Sequence, residues 1–547
     1  MHTSNDRLRG PASPPPPGTP LASFVLFVSL ASLLAMIYAL AEWWHLAGGF
    51  GFPSDGAWAR TVFASHVAAG EGLCFNPGTP SAGVAGASWI AAVAAVGFFT
   101  GKFLASAKVL GVLSVILTAI LSWYIVLDLL GDWRFAFLAG LLVAASPRLA
   151  AAGLSGSEAA WAALLVSAGI YWHASGWQGT TQQRAWGAAA LGLAALSRPE
   201  LGLLVPVLLV DRWLIALLYA PRERAIRQAL AYSLPETGGA LLLLAPYVIY
   251  NWRAVGPLWQ QPENALHVQS TWGWAGAALA ALWTDNPVLL CAAILGIPMA
   301  VAATLDSESR HRSFLLVLIP IVTLVPVGMM WYHAAPSNAI YTAAYLTPVV
   351  AILGAAGLFL ARRIAAQRIV PEQGMPQRVA FAAGIAVVCT AILAFHALGH
   401  RPSWQQHGFQ VKKVSDLQGY IGRWAAGHLA PDASIASREV GAIGFFSGRR
   451  MVDLGGTISQ QGLAYLSQPG PPDTNLLAFM QKVRPSHLAI RPGEFPDLSR
   501  RADLLTPAVT CAVSDPIAGG MTTMTLYESP WPPPSVEEAR GLTERDK

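Results

Sequence analysis

The stretch LASAKVLGVLSVILTAILSWYIVLD, residues 104–128, is apolar over the roughly 20 positions that a helix needs to cross a bilayer, with its charges, Lys108 and Asp128, near the two ends. Runs of the same kind recur on either side of it, from Leu21 to Leu398. The chain therefore reads as an α-helical polytopic membrane protein. Composition agrees. Of 547 residues 54% are hydrophobic and 12% charged, about half the charged share of a soluble chain, and the mean hydropathy is +0.46. Such a composition excludes a soluble enzyme, a disulfide scaffold, a disordered chain and a nucleic-acid binder. The net charge of +5 and pI near 9.0 reflect Lys and Arg held on the cytoplasmic side rather than a nucleic-acid partner.

Hydropathy predicts about eleven transmembrane helices. They fall near 21–44, 104–128, 134–147, 158–175, 185–197, 201–217, 233–252, 287–304, 313–330, 343–360 and 379–398. The first closes on Trp43-Trp44, an interface anchor. Ala87 to Phe99 is apolar but short, which predicts an interfacial or re-entrant helix inside a first outer loop over 45–103. With the N-terminus inside, fourteen Lys and Arg fall at inner ends and loops. Six fall outside before the tail: Arg60, Lys102, Lys108, Arg148, Arg198 and Arg253. A shift of one span would place the PRERAIRQ and ARRIAAQR loops outside and invert this bias.

The resulting organisation is a disordered cytoplasmic tail over 1–20, a transmembrane catalytic domain over 21–399, an extracytoplasmic α/β domain over 400–528 and a disordered tail over 529–547. In the C-terminal domain, amphipathic patterns at Val411–His428 and Asn475–Val483 alternate with strand-like runs at Ser434–Ala436, His487–Ile490 and Met521–Tyr527. The stretch GAIGFFSGRRMVDLGG reads as turn glycines without a strand–loop–helix context. Cys74, Cys291, Cys389 and Cys511 show no paired spacing, which argues against a metal cluster, and Cys291 and Cys389 read as small core residues.

Polar groups with chemical potential fall in outer segments. Asp55 and Arg60 open the loop after the first span, where a carboxylate against the bilayer is partly desolvated, a setting for a general base. Taken alone, a loop aspartate is more often a turn or capping residue. Arg148 and Glu158 flank the segment between the third and fourth spans, and Glu158 suits a first-turn acid that complements a helix dipole. Arg198 and Glu200 bracket a proline between two apolar runs, where unpaired charges would cost several kcal/mol in lipid, so they face protein or water. Tyr332, His333 and Asn338 belong to an aromatic and amide cluster over 329–348 suited to a sugar or lipid-phosphate pocket, or to an interface belt. Lys108 opens the second span from outside, placed to snorkel or to meet a phosphate. No P-loop, zinc pattern, nucleophile elbow or dinucleotide fingerprint is present.

Taken in order, these pieces resemble the GT-C class of integral-membrane glycosyltransferases that use polyprenyl-phosphate sugars, in particular members related to protein mannosyltransferases, aminoarabinose transferases and arabinofuranosyltransferases. The likeness rests on Asp55 after the first span, then Gly70, Gly72, Asn76, Gly78, Gly83 and Trp89. It continues through Ser155-Gly156-Ser157-Glu158, Arg198-Pro199-Glu200, Tyr250-Asn251-Trp252 and REVGAIGFFSGRRMVDLGG at residues 438–456. Where many members carry two adjacent acids this chain has Asp55-Gly56, Glu439 stands for an aspartate, and Ala82 stands for a glutamate.

The resemblance implies a GT-C-like fold and an inverting transfer of a sugar from a polyprenyl-phosphate donor to an acceptor hydroxyl. Asp55 would be the general base, Glu158 would orient the acceptor or an arginine, Arg198 and Lys108 (or Arg148) would meet the donor phosphate, and Glu200 would hold Arg198. Partners are then the lipid-linked sugar, an acceptor glycan, lipid or protein, and membrane lipids, with no nucleic acid. No cofactor is required, and a divalent metal is compatible with the scheme. The expected place is a bacterial inner membrane, multi-pass, with the N-terminus cytoplasmic and the catalytic face and C-terminal domain periplasmic. A transporter or flippase of a lipid-linked sugar, or a non-catalytic membrane scaffold, is the alternative. A transporter predicts acids inside spans near the midplane, whereas the charges noted here sit at span ends.

Overall fold

A computed structural model describes residues 18–81, 86–175, 180–254, 279–304, 314–321, 324, 343–368, 375–459, 461–514 and 520–531. Helix α1 (Thr19–His45) exposes Leu21, Val25, Leu33, Met36 and Leu40, a lipid-facing surface that water would not tolerate, and buries Phe27, Leu34 and Tyr38. Two interfacial-length helices follow, α2 (Asp55–Ala68) and α3 (Ala87–Thr100), the latter apolar but too short to span. Helix α4 (Phe103–Leu130) contains the apolar stretch of 104–128 almost residue for residue.

The expected span at 134–147 ends at Ala144, and the segment behind it, expected as a link between spans, is helical. Ser146 caps a new helix by accepting from the Leu149 amide, and Pro147 at its first position supplies no N–H to continue the old one. Helices α5 (Trp133–Ala144) and α6 (Pro147–Leu154) therefore meet at 48°. A sharper bend of 119° separates Leu279–Asp285 from α11 (Pro287–Thr304), again at a proline, with Asn286 Oδ1 accepting from the Leu289 amide.

Between these lie α7 (Ala159–Ser175), α8 (Thr181–Ser197, opened by a Thr180–Gln183 capping box), α9 (Leu204–Tyr219) and α10 (Arg222–Ala254). Helices α12 (Leu346–Arg368) and α13 (Met375–Val414) complete the helical part. Among the described residues five helical stretches are long and apolar enough to cross a membrane, or seven if each bent pair counts as one span. The count of eleven is not reached there: α7, α8 and α10 fall short in length or apolar composition, and most of 313–330 lies outside the described residues.

Small residues set the helix crossings. A Cβ on Gly111 of α4 would meet the Gly153 carbonyl of α6 at 2.0 Å, and one on Gly357 of α12 would meet the Ala292 carbonyl of α11 at 1.9 Å. Such backbone approach is how helices associate where lipid removes the hydrophobic drive.

Helix α13 runs unbroken through residue 400 into the C-terminal domain, so chain geometry gives no joint at that boundary. A π-turn (Ser415–Gly419) then leads to α14 (Tyr420–His428). The domain is a five-stranded sheet in the order β2-β1-β3-β5-β4, made of β1 (Ser434–Ser437), β2 (Arg450–Asp453), β3 (His487–Ile490), β4 (Thr506–Ser514) and β5 (Met521–Glu528). The β2-β1-β3 part is parallel, and β5 and β4 add antiparallel. The glycine-rich stretch is not a run of turns: Val440–Ser447 is helix α15, between β1 and β2.

One hydrophobic cluster joins the two parts. Phe52, Trp58, Phe63, Phe75 and Trp89 pack with Ile435, Val440, Ile443, Met451 and Met524 in a shared core. The cysteines are all free; Cys291 is exposed and Cys389 half-buried, so neither is the core residue expected. Gly111→Val should force α4 from α6 and cost about 1–3 kcal/mol. Gly384→Val, with no atom near the new Cβ, should not. Thermal unfolding of the two variants in detergent checks this; equal midpoints would mean the close crossing carries no stability.

Candidate functional site

Asp55 starts α2 and reaches across the seam to the start of α15. Its Oδ2 accepts from the Gly441 amide and its Oδ1 from the Ala442 amide, both at 2.8 Å. The first-turn amides of a helix have no intrahelical acceptor, and the helix dipole favours an anion there. A strand–turn–helix context does exist at the glycine-rich stretch, and what it takes is this chain's own carboxylate. Burial pushes the Asp55 carboxyl up, to about 7, against the pull of the two amides, and Glu439 and Asp453 push it the same way. Asp453 is held by its own nest: it accepts from the amides of Gly455, Gly456, Ile458 and Ser459 at 2.5–3.0 Å.

Beside Asp55 begins a chain of buried charge. A Cβ on Gly56 would lie 3.0 Å from the Arg60 guanidinium, which places Arg60 next to the Asp55-Gly56 corner. Arg60 Nη2 lies 3.0 Å from Glu158 Oε2, Arg198 Nη2 lies 3.7 Å from Glu158 Oε1, and Arg198 Nε lies 3.1 Å from Glu200 Oε1. Tyr345, fully buried, sits within electrostatic reach of Glu200 and Arg198. Trp89 Nε1 donates to the Gly156 carbonyl, and Trp161 Nε1 donates to the Ser88 hydroxyl, which in turn donates to the Leu193 carbonyl. The segments around Asp55, Trp89, Ser155–Glu158 and Arg198–Glu200, scattered in sequence, are thus neighbours.

Lys108 and Arg148 are placed differently. Lys108 Nζ donates to both oxygens of Glu42 at 2.7 and 2.8 Å and to the Leu154 carbonyl at 2.9 Å, over the Phe52 ring. His407 Nε2 lies 2.7 Å from the same Glu42. Arg148 grips Asp285 with two contacts, at 2.5 and 2.9 Å, and donates to the Ala281 carbonyl. Both cations are neutralised by acids distant in sequence. Tyr332, His333 and Asn338 lie outside the described residues. Glu42, a lone acid ending an apolar span, is a further buried charge that the sequence marks only by the cost of an unpaired charge in lipid. A sealed cluster lies among α7, α9 and α10. There His173 meets Asp211 at 2.7 Å and Glu236 at 3.2 Å, and Arg212 meets Glu236 at 2.8 Å. Charges therefore also lie within helices, not only at span ends.

The loop after α2 is tied to the C-terminal domain. The Asn76 side-chain amide donates to the Met451 carbonyl and accepts from the Met451 N–H, both at 2.9 Å, Ser81 donates to the Ile458 carbonyl, and the Tyr250 hydroxyl donates to the Leu73 carbonyl.

Comparison with solved structures places this fold. The archaeal oligosaccharyltransferase AglB from Archaeoglobus fulgidus, in complex with an inhibitory peptide and a dolichol-phosphate, matches with a TM-score of 0.61 at 13% identity, over 94% of this chain and 75% of that one. ArnT from Cupriavidus metallidurans, bound to undecaprenyl phosphate, matches with a TM-score of 0.58 at 15% identity, over 92% of this chain and 97% of that one. The fold is the GT-C-type architecture that the sequence resemblance implied. A family profile described as a domain of unknown function (DUF8728) matches residues 405–527. No curated protein sequence matches the chain.

Removing one member of a buried charge chain leaves the others uncompensated, at a cost of about 3–5 kcal/mol. Glu158→Gln should therefore lower the thermal midpoint clearly. Asp503→Asn, in the exposed Arg501–Asp503 pair, should leave it unchanged. An unshifted midpoint for Glu158→Gln would show that water already solvates the cluster.

Proposed function

We propose that this protein is a membrane glycosyltransferase that moves a sugar from a polyprenyl-phosphate donor to an acceptor hydroxyl, with inversion, at the seam between its helical part and its C-terminal domain. The observation that carries the reading is the Asp55 carboxyl. It is poised near neutrality beside the Arg60–Glu158–Arg198–Glu200 chain. The likeness to chains crystallised with dolichol-phosphate and undecaprenyl phosphate supports the donor class.

In the proposed step the acceptor oxygen attacks the anomeric carbon, its proton passes to Asp55, and the bond to the phosphate oxygen breaks, releasing polyprenyl phosphate. The two amides occupy only part of the acceptor capacity of a carboxylate, so Asp55 can accept from a substrate hydroxyl as well. Arg60 stands beside the Asp55-Gly56 corner and Arg198 shares Glu158 with it, so the phosphate falls to these two, with Glu158 and Glu200 orienting them for it. The scheme requires no cofactor, and a divalent metal remains compatible with it. The acceptor is a glycan, lipid or protein. The N-terminus would be cytoplasmic and the site and C-terminal domain periplasmic, in a bacterial inner membrane.

The test is transfer or hydrolysis of radiolabelled polyprenyl-phosphate sugars by the purified protein in lipid, comparing the native chain with Asp55→Asn. A base acts only when deprotonated, so the rate should rise with pH and level off above about 7. Asp55→Asn should lose about 100-fold or more and flatten that profile. Asparagine keeps one of the two amide contacts, so the thermal midpoint is read alongside. Turnover in a folded Asp55→Asn protein equal to that of the native chain would remove Asp55 as the base.

A further inference from the structure

Three metal-ligating side chains converge at the end of α2 and the turn behind it. His66 lies in the last turn of the helix, and Glu71 and Cys74 lie in the loop that follows. One ring nitrogen of His66, a carboxylate oxygen of Glu71 and the Cys74 sulfur all lie within 4.8 Å of one another. His66 Nε2 stands 3.9 Å from Glu71 Oε2, and Cys74 Sγ lies on the Nδ1 side of the ring, 3.8 Å from Nδ1. From their positions we propose that His66, Glu71 and Cys74 form a binding site for a divalent transition metal of the zinc type, distinct from the Asp55 site.

The donor set decides the class of ion. Thiolate, imidazole and carboxylate together suit zinc and its neighbours, whereas magnesium and calcium take oxygen donors. Metal–ligand bonds of about 2.0–2.3 Å in a tetrahedral site separate the donors by roughly 3.3–3.7 Å. Separations of up to 4.8 Å need to close by at most about 1.5 Å, and the Glu71 side chain is exposed, with room to move. Three protein ligands leave a fourth position for water, and the dication is neutralised by one thiolate and one carboxylate, with the thiol proton released to solvent.

The surroundings prepare the imidazole. His66 Nδ1 lies 3.0 Å from the Cys74 carbonyl, which can only accept, so Nδ1 carries the proton and Nε2 presents its lone pair toward Glu71. A ligating histidine ordinarily has its other ring N–H fixed in this way. The loop itself is held rigid. Cys74 pairs with Pro80 across its neck, the Tyr250 hydroxyl holds Leu73, and Asn76 is clamped to Met451. Bound metal would staple the loop that carries Asn76 to the end of α2, and so to the seam beneath the C-terminal domain. Spacing of cysteines gave no hint of this, because only one of the ligands is a cysteine.

The experiment uses the full-length protein in detergent, with any histidine tag removed, stripped with chelator and titrated with Zn²⁺ and with Co²⁺. About one equivalent should bind, and the Co²⁺ form should show a thiolate-to-metal charge-transfer band. Cys74→Ser should abolish that band and His66→Gln should weaken Zn²⁺ binding at least about tenfold, while Cys511→Ser changes neither. Substoichiometric Zn²⁺ uptake by the native chain, a Co²⁺ complex without the thiolate band, or unchanged affinity in folded Cys74→Ser would each overturn the site. Should the variants fail to fold, the native Co²⁺ spectrum alone still decides.

Discussion

The two amide contacts from Gly441 and Ala442 to the Asp55 carboxylate are the constraint on which the arrangement of the molecule depends. They join the first residue of α2 to the first turn of α15, almost four hundred positions later in the chain. The contact demands glycine at 441, because a Cβ there would stand 2.1 Å from the Asp55 carbonyl and 2.7 Å from the Ala59 amide. Around it Trp58, Phe63, Ile443 and Met451 pack in one shared core. The helical part and the sheet domain are therefore one folding unit at this seam, and a site built there inherits its geometry from both.

A second constraint is charge neutrality. Among the described residues each acid buried in the helical part has a partner within reach, and apart from Arg198–Glu200, two positions apart, the pairings join elements distant in sequence. Glu42 of α1 holds Lys108 of α4 and His407 of α13, so one carboxylate ties three helices. Arg148 at the start of α6 holds Asp285 at the kink before α11. Glu158 stands between two arginines, and Glu236 between an arginine and a histidine. In lipid an unpaired member would cost several kcal/mol, so these pairs select one packing of helices over others that would bury the same apolar area.

What was legible in the sequence follows from how local each signal is. Uninterrupted apolar runs such as 104–128 and 287–304 appear as helices at nearly the expected limits, because span length depends only on local composition. The buried helix that starts at Ser146-Pro147 needs capping chemistry rather than hydropathy to be seen, and hydropathy alone makes that segment a link between spans. The glycines of 440–448 look like helix breakers in isolation. Their purpose is close approach, Gly441 to the backbone of α2 and Gly444 to the Phe75 ring, and contacts between distant segments leave no local trace. Strand β4 carries a recognisable alternation that was passed over, while β2 is too short to announce itself. Among the site residues, the grouping of Asp55, Glu158, Arg198 and Glu200 came through the resemblance. The partners that occupy Lys108 and Arg148 could not, since Glu42 and Asp285 are 66 and 137 positions away.

The two roles of Asp55, capping α15 and serving as the proposed base, pull on the same oxygens. Withdrawal from water, with Glu439 and Asp453 nearby, favours the protonated carboxyl, and the helix amides favour the carboxylate; the balance leaves it near neutrality. A protonated carboxyl is a weaker acceptor than a carboxylate. In the proposed reaction, the proton taken from the acceptor would therefore loosen the grip on Gly441 and Ala442 as the new glycosidic bond forms. Returning that proton to solvent would restore the grip. The protonation state of the base would then be coupled to the start of α15, while the shared core and the Asn76 and Ser81 contacts keep the C-terminal domain in place.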